Sequence, residues 1–87
     1  MELKDTVQLM LSNDYKERFK AEYWQTKVRY ERLKKNTTML EANGIKYMTP
    51  AKALDGTPFQ LLRDQQRMMG EYLHTLELRA VIERIEL

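Results

Sequence analysis

Apolar residues recur along most of this chain in steps of three and four, the period of a helix face rather than the alternation of a strand. Between Asp14 and Ala42 the seam reads Phe19, Tyr23, Thr26, Tyr30, Leu33, Thr37 and Leu40. From Pro58 to Leu87 it reads Phe59, Leu62, Gln66, Met69, Leu73, Leu76, Ala80, Glu83 and Leu87, with Gln66 and Glu83 as polar members. Both have the spacing of a coiled-coil seam, and at 1.5 Å per residue each helix would be about 45 Å long. Matched lengths predict an antiparallel hairpin. Met68, Tyr72, Ile82 and Ile85 lie beside the second seam and widen its apolar face beyond what one partner helix covers. In Glu2 to Leu11, residues Leu3, Val7, Met10 and Leu11 share a helical face, so this piece is either a short third helix folded back or an extension of the first long one.

Helix punctuation agrees with these limits. Asp14 with Glu17 has the form of a capping box, and Asn43-Gly44 supplies a residue tolerant of the left-handed conformation that commonly ends a helix. Thr57-Pro58-Phe59-Gln60 predicts a second start, with Thr57 as N-cap and Pro58 at the first helical position. The connector 43–57 is longer than most hairpin loops. Thr49-Pro50 and Asp55-Gly56 predict a helical turn over Pro50 to Leu54 inside it. The expected architecture is all-α: one domain over 1–87, with a short helix at 2–11, a long helix at 14–42, the connector at 43–57 and a long helix at 58–87.

Composition narrows the function classes. Eighty-seven residues, 43% hydrophobic and 32% charged, allow one small core. With no cysteine there is no disulfide to support it, which points to a reducing cytoplasm and to self-association as a helical bundle. No apolar run approaches the roughly 20 residues of a bilayer span, and Met1-Glu2-Leu3-Lys4-Asp5 lacks the form of a signal peptide, so a soluble, unprocessed protein is expected. A net charge of +2 is small for a binder of long nucleic acid. The charge is uneven, however: Asp14 to Asn43 carries eight basic and five acidic residues, and Pro58 to Leu87 four and five.

Catalytic chemistry has little to work with. The chain has one serine, Ser12, no cysteine and one histidine, His74, with no second histidine or cysteine to complete a metal site. The expectation is no enzyme, no cofactor and no metal. Binding chemistry is better represented. Lys27 and its basic neighbours on the first long helix are interleaved with Tyr23, Trp24 and Tyr30, the mixture that stacks bases and meets phosphates. The alternative is that Tyr23 and Tyr30 are core and the lysines are solvated, with Trp24, one position off the seam, buried against another subunit or meeting a ligand. Arg63 and Arg67 stand one turn apart and can clamp a phosphate, or pair with Asp64 and Glu71. Gly70 lies mid-helix, at a cost of about 1 kcal/mol relative to alanine, which calls for a closely approaching helix or ligand.

Asp14-Tyr15-Lys16-Glu17-Arg18-Phe19-Lys20-Ala21-Glu22-Tyr23, Met69-Gly70-Glu71-Tyr72-Leu73 and Leu76-Glu77-Leu78-Arg79-Ala80 resemble a family of small proteins of phages and prophages of gut bacteria, including crAss-like phages. That likeness implies an accessory protein acting in the cytoplasm of the infected bacterial host. Thr57-Pro58 with Arg63-Asp64 and a long helix is also similar to the terminal hairpin of phage sponge proteins that sequester the cyclic nucleotides of CBASS and Thoeris immunity. Those are small helical oligomers with pockets between subunits, and the likeness carries Arg63 over as a phosphate contact. The resulting expectation is a non-enzymatic anti-defence protein that binds and sequesters a nucleotide immune signal, with a cyclic nucleotide as the candidate ligand, through Arg63, Arg67, Trp24, Tyr23 and Lys27. The alternative is an anti-CRISPR-like inhibitor or adaptor that engages a host defence protein through helical surfaces.

Overall fold

A helix of this length forms where both its ends and its buried stripe are provided for. In the computed structural model, which describes residues 1–87, Asp14 accepts a hydrogen bond from the Lys16 backbone N–H at 2.9 Å and starts a 32-residue helix, α2, over Tyr15–Lys46. The Asp14 backbone N–H donates to Ser12 Oγ at 3.0 Å, so Ser12 takes the part expected of Glu17. Before it lie a 3₁₀ turn, Leu3–Thr6, and a single helical turn, α1, over Val7–Met10. After it come strands β1, Ala53–Leu54, and β2, Thr57–Pro58, and then helix α3, Phe59–Glu83. The fold is mostly helical, 75% of residues, with a two-stranded antiparallel sheet beside the helices.

The two long helices are antiparallel. Successive contacts pair Tyr15 with Glu83, Tyr23 with Glu77, Thr37 with Gln66 and Glu41 with Arg63, so residues late in α2 meet residues early in α3. All seven residues of the first seam are buried or half-buried, as are those of the second from Phe59 to Glu83. The core is Phe19, Tyr23, Leu73, Leu76, Ala80 and Ile85, with Trp24 and Tyr30 packed against it. Removing such side chains from water is the main favourable term in folding.

The N-terminal piece folds back rather than extending α2. Arg18 donates to the Ser12 carbonyl at 3.1 Å and Gln25 Nε2 donates to Thr6 Oγ1 at 3.1 Å, so these two residues flank the buried Ala21 on the side of α2 that the N-terminal piece covers. The middle helix thus packs on two sides. The expected face Leu3, Val7, Met10 and Leu11 is not the buried one: Val7, Met10 and Leu11 are exposed, and Thr6 is buried instead. Its hydroxyl satisfies itself on the Leu3 carbonyl at 2.7 Å, which lets a polar side chain sit inside.

Several boundaries differ from expectation, each for a local reason. Helix α2 runs through Gly44 to Lys46, because this glycine provides space rather than a cap: a Cβ there would lie 2.7 Å from the Thr49 carbonyl oxygen, where the connector crosses the helix. The left-handed residue is Met48, φ 54°. No turn of helix forms over Pro50 to Leu54. Asp55 and Gly56, φ 52° and 81°, make the tight two-residue turn that Asp-Gly favours between strands, and it pairs Leu54 with Thr57. Thr57 therefore lies in β2 and does not cap α3; Pro58 occupies the cap position, and the free Phe59 N–H donates to the Lys52 carbonyl at 2.6 Å.

Helix α3 stops at Glu83 instead of Leu87. Arg84 turns left-handed, φ 56°, and the Ile85 N–H donates back to the Ala80 carbonyl at 2.8 Å. This reversal drives Ile85 into the core and leaves Leu87 outside. The long helices are consequently unequal, about 48 and 37 Å by their rise. The last turn of α2 is met by the connector and not by α3.

Candidate functional site

Where Tyr30 of α2 crosses α3, the helix has no side chain to oppose it. A Cβ on Gly70 would lie 3.2 Å from Tyr30 Cε1, so the glycine is explained by the ring's close approach. One and two turns before Gly70, Arg67 and Arg63 project from the same side of α3, and Phe59 stands at the start of that helix. Together with Gln60, Asp64 and Gln66 these residues line an open cleft of about 390 Å³. A shallow, largely polar recess with two guanidiniums and one phenol ring suits an anionic ligand that has a flat part.

The polar groups of the cleft hold each other in place. Arg63 Nη1 donates to Glu41 Oε2 of α2 at 3.0 Å, and its guanidinium lies 5.7 Å from the Phe59 ring centroid. Arg67 lies 3.6 Å from Asp64 and 4.0 Å from Glu71, both on its own helix. Gln60 Nε2 donates to Asp64 Oδ1 at 3.0 Å. Behind the cleft the Thr37 hydroxyl donates to Gln66 Oε1, joining a polar position of one seam to a polar position of the other. Buried polar groups that satisfy each other across a seam allow one register and disfavour neighbouring ones.

The expected site residues do not all converge. Arg63 and Arg67 share the cleft with Tyr30, which the sequence placed among the aromatic-basic residues of α2. Tyr23 is buried in the core and donates to Glu77 Oε2 at 2.7 Å; burial first, and then this hydrogen bond, push its hydroxyl pKa up to about 12. Trp24 is half-buried, edge-on to Tyr23 with ring centroids 5.2 Å apart. Lys27 pairs with Glu31 at 3.2 Å. None of these three lines the cleft. His74 is exposed, 3.9 Å from Glu77. The cleft's glutamines and Phe59 were missed as site residues, though Gln60 and Gln66 fall at i−3 and i+3 of Arg63, a spacing that places them beside it.

At the opposite end of the hairpin a second polar cluster closes the seam. Tyr15 donates to Glu83 Oε1 at 2.8 Å, Arg79 donates to the Tyr15 oxygen at 2.7 Å and to Glu83 Oε2 at 3.0 Å, and the Arg79 guanidinium lies 5.1 Å from the Phe19 ring centroid. The hydrogen bond to Glu83 raises the Tyr15 pKa, and the same bond seen from the acid lowers that of Glu83. Hydrogen bonding to Glu83 raises the Arg79 pKa further, and that to Glu22 raises the pKa of Tyr72. This cluster ties the ends of the long helices together and encloses no cavity.

By fold and cleft the molecule is a small helical hairpin with a polar recess between its long helices. Residues 13–82 match the model of the family named Sequestin, and the chain belongs to that family. The name suggests a sequestering protein, one that binds rather than one that catalyses. No curated protein and no solved structure matches the chain. No helix is long and apolar enough to cross a membrane.

Proposed function

We propose that this protein is a phage-encoded anti-defence protein that sequesters a nucleotide immune signal, without turning it over, in the cytoplasm of the infected bacterial host. The observation that carries the reading is the cleft where Arg63 and Arg67 stand a turn apart beside Tyr30. Two guanidiniums supply phosphate contacts, the phenol ring supplies a face for a base, and Gln60 and Gln66 supply amides for its edge. A volume of about 390 Å³ is at the small end for a ligand pocket, so one cleft holds one nucleotide unit of a cyclic ligand. A cyclic dinucleotide or trinucleotide then needs more than one copy of the chain, which fits a homo-oligomer. Trp24 and Lys27 enter this reading only as contacts supplied toward another subunit's ligand, and Tyr23 as the ring that supports Trp24.

Calorimetry against cyclic di- and trinucleotides and ADP-ribose signals tests the proposal. Binding of one of them, weakened at least tenfold in Arg63→Gln and Arg67→Gln, is the expected result. No heat with any of them sinks it. A second reading, an inhibitor or adaptor that binds a host defence protein, is favoured by the exposed outer face of α3, where Leu61, Met68, Tyr72 and Ile82 lie outside the core. Capture of a single defence protein from host lysate, with no nucleotide bound, would favour that alternative.

A further inference from the structure

Of the two arginines in the cleft, one is held across the helices and the other is not. Arg67 meets only acids of α3, at 3.6 and 4.0 Å, distances too long for good hydrogen bonds. Arg63 makes a 3.0 Å charge-assisted hydrogen bond to Glu41 of α2, and its other neighbour is the Phe59 ring. Glu41 does not line the cleft; it reaches Arg63 from the margin. It is also the one acid of α2 that pairs with an arginine of the cleft. Both partners are about half-exposed, so the bond is easily exchanged for another anion.

We infer that Glu41 is a gate for the cleft: its carboxylate occupies the Arg63 guanidinium in the free protein, and a phosphate group enters by displacing it. This rests on the cleft being an anion site, as in the proposed function. A phosphate presents more acceptor oxygens than the carboxylate and can also reach Arg67 one turn away, so a ligand spanning both arginines gains what a lone carboxylate cannot. A singly charged carboxylate ligand would exchange like for like at Arg63 and gain little. The gate thus selects for phosphate over carboxylate, and it keeps an otherwise basic cleft neutral until a ligand arrives.

The test is calorimetry of the full chain with inorganic pyrophosphate and with the nucleotide panel, comparing native protein, Glu41→Gln, Glu86→Gln and Glu41→Gln with Arg63→Gln. Glu86 lies beyond the end of α3, away from the cleft, and removes the same charge. Because an exposed ion pair is weak, Glu41→Gln should tighten pyrophosphate binding about two- to fivefold. Glu86→Gln should tighten it less, and adding Arg63→Gln should abolish the gain. Equal gains from Glu41→Gln and Glu86→Gln, or no gain, or no pyrophosphate binding by any variant overturns the gate. Circular dichroism confirms that each variant is folded; if Glu41→Gln is not, Glu41→Ala takes its place. Tightened pyrophosphate binding with no nucleotide bound would retain the gate and remove the nucleotide. Nucleotide binding indifferent to Glu41 would do the reverse.

Discussion

At the scale of single residues, the polar members of the seams account for much of what is specific here. Tyr23 sits in the core with its hydroxyl on Glu77, and burial raises its pKa from the ordinary 10.0 to about 12. Its folded value lies above its unfolded one, so the stabilisation of the neutral phenol is complete below pH 10 and is lost as pH rises toward 12. Thermal melts between pH 9 and 12 should therefore show a steeper loss for native protein than for Tyr23→Phe, which has no proton to lose; equal slopes would contradict the burial of this hydroxyl. Gly70 allows the opposite kind of test. Alanine gains helix propensity and meets only the outer edge of the Tyr30 ring, a group able to shift by a few tenths of an ångström. Gly70→Ala should raise the unfolding free energy measured in urea by up to about 1 kcal/mol, while displacing Tyr30 and weakening any ligand.

At the scale of elements, the connector is where two local structures compete for the same residues. Asp55-Gly56 can stop a helical turn, yet the same dipeptide is the preferred two-residue hairpin turn, and the flanking Leu54 and Thr57 are a strand pair. In the extended form the Lys52 carbonyl accepts from the Phe59 N–H, a donor at the start of α3 that has no partner within its own helix. Gly56, at φ 81°, is strained by any side chain, so Gly56→Ala should cost about 1 kcal/mol in equilibrium unfolding. The long helices respond differently, since they depend on packing and not on turn geometry. Leu76, 1% exposed at the centre of the core, should lose about 3 kcal/mol on Leu76→Ala, against less than 1 kcal/mol for the exposed Leu78→Ala.

At the scale of the whole molecule, a body with principal extents of 50 × 25 × 17 Å has a large surface for its volume. The outer face of α3 shows the consequence: Ile82 is 79% exposed, Met68 55% and Leu61 57%. Leu61, Met68, Thr75 and Ile82 fall seven residues apart, a further seam on the side of α3 away from α2. Self-association through this face would cover it and supply the homo-oligomer that the proposed function calls for. Sedimentation at micromolar concentration should give a mass above 10.5 kDa, and Met68→Glu with Ile82→Glu should return the monomer; a native monomer would refute the assembly.

By itself the sequence determined that there are two long helices, the members of their facing seams as far as Glu83 and the closeness of Arg63 and Arg67, because these follow from a period of 3.6 residues and from caps acting within a few residues. It also pointed to close approach at Gly70. Only the tertiary structure decided that Tyr30 is what approaches, that Tyr23 serves the core while Tyr30 borders the cleft, and that Ile85 rather than Leu87 closes the core. Each of those depends on contacts between residues far apart in the chain: Tyr30 with Gly70, Glu41 with Arg63, Phe59 with Lys52. A helical period states which residues share a face, whereas the angle and offset at which two faces meet are set by side chains fitting together in three dimensions.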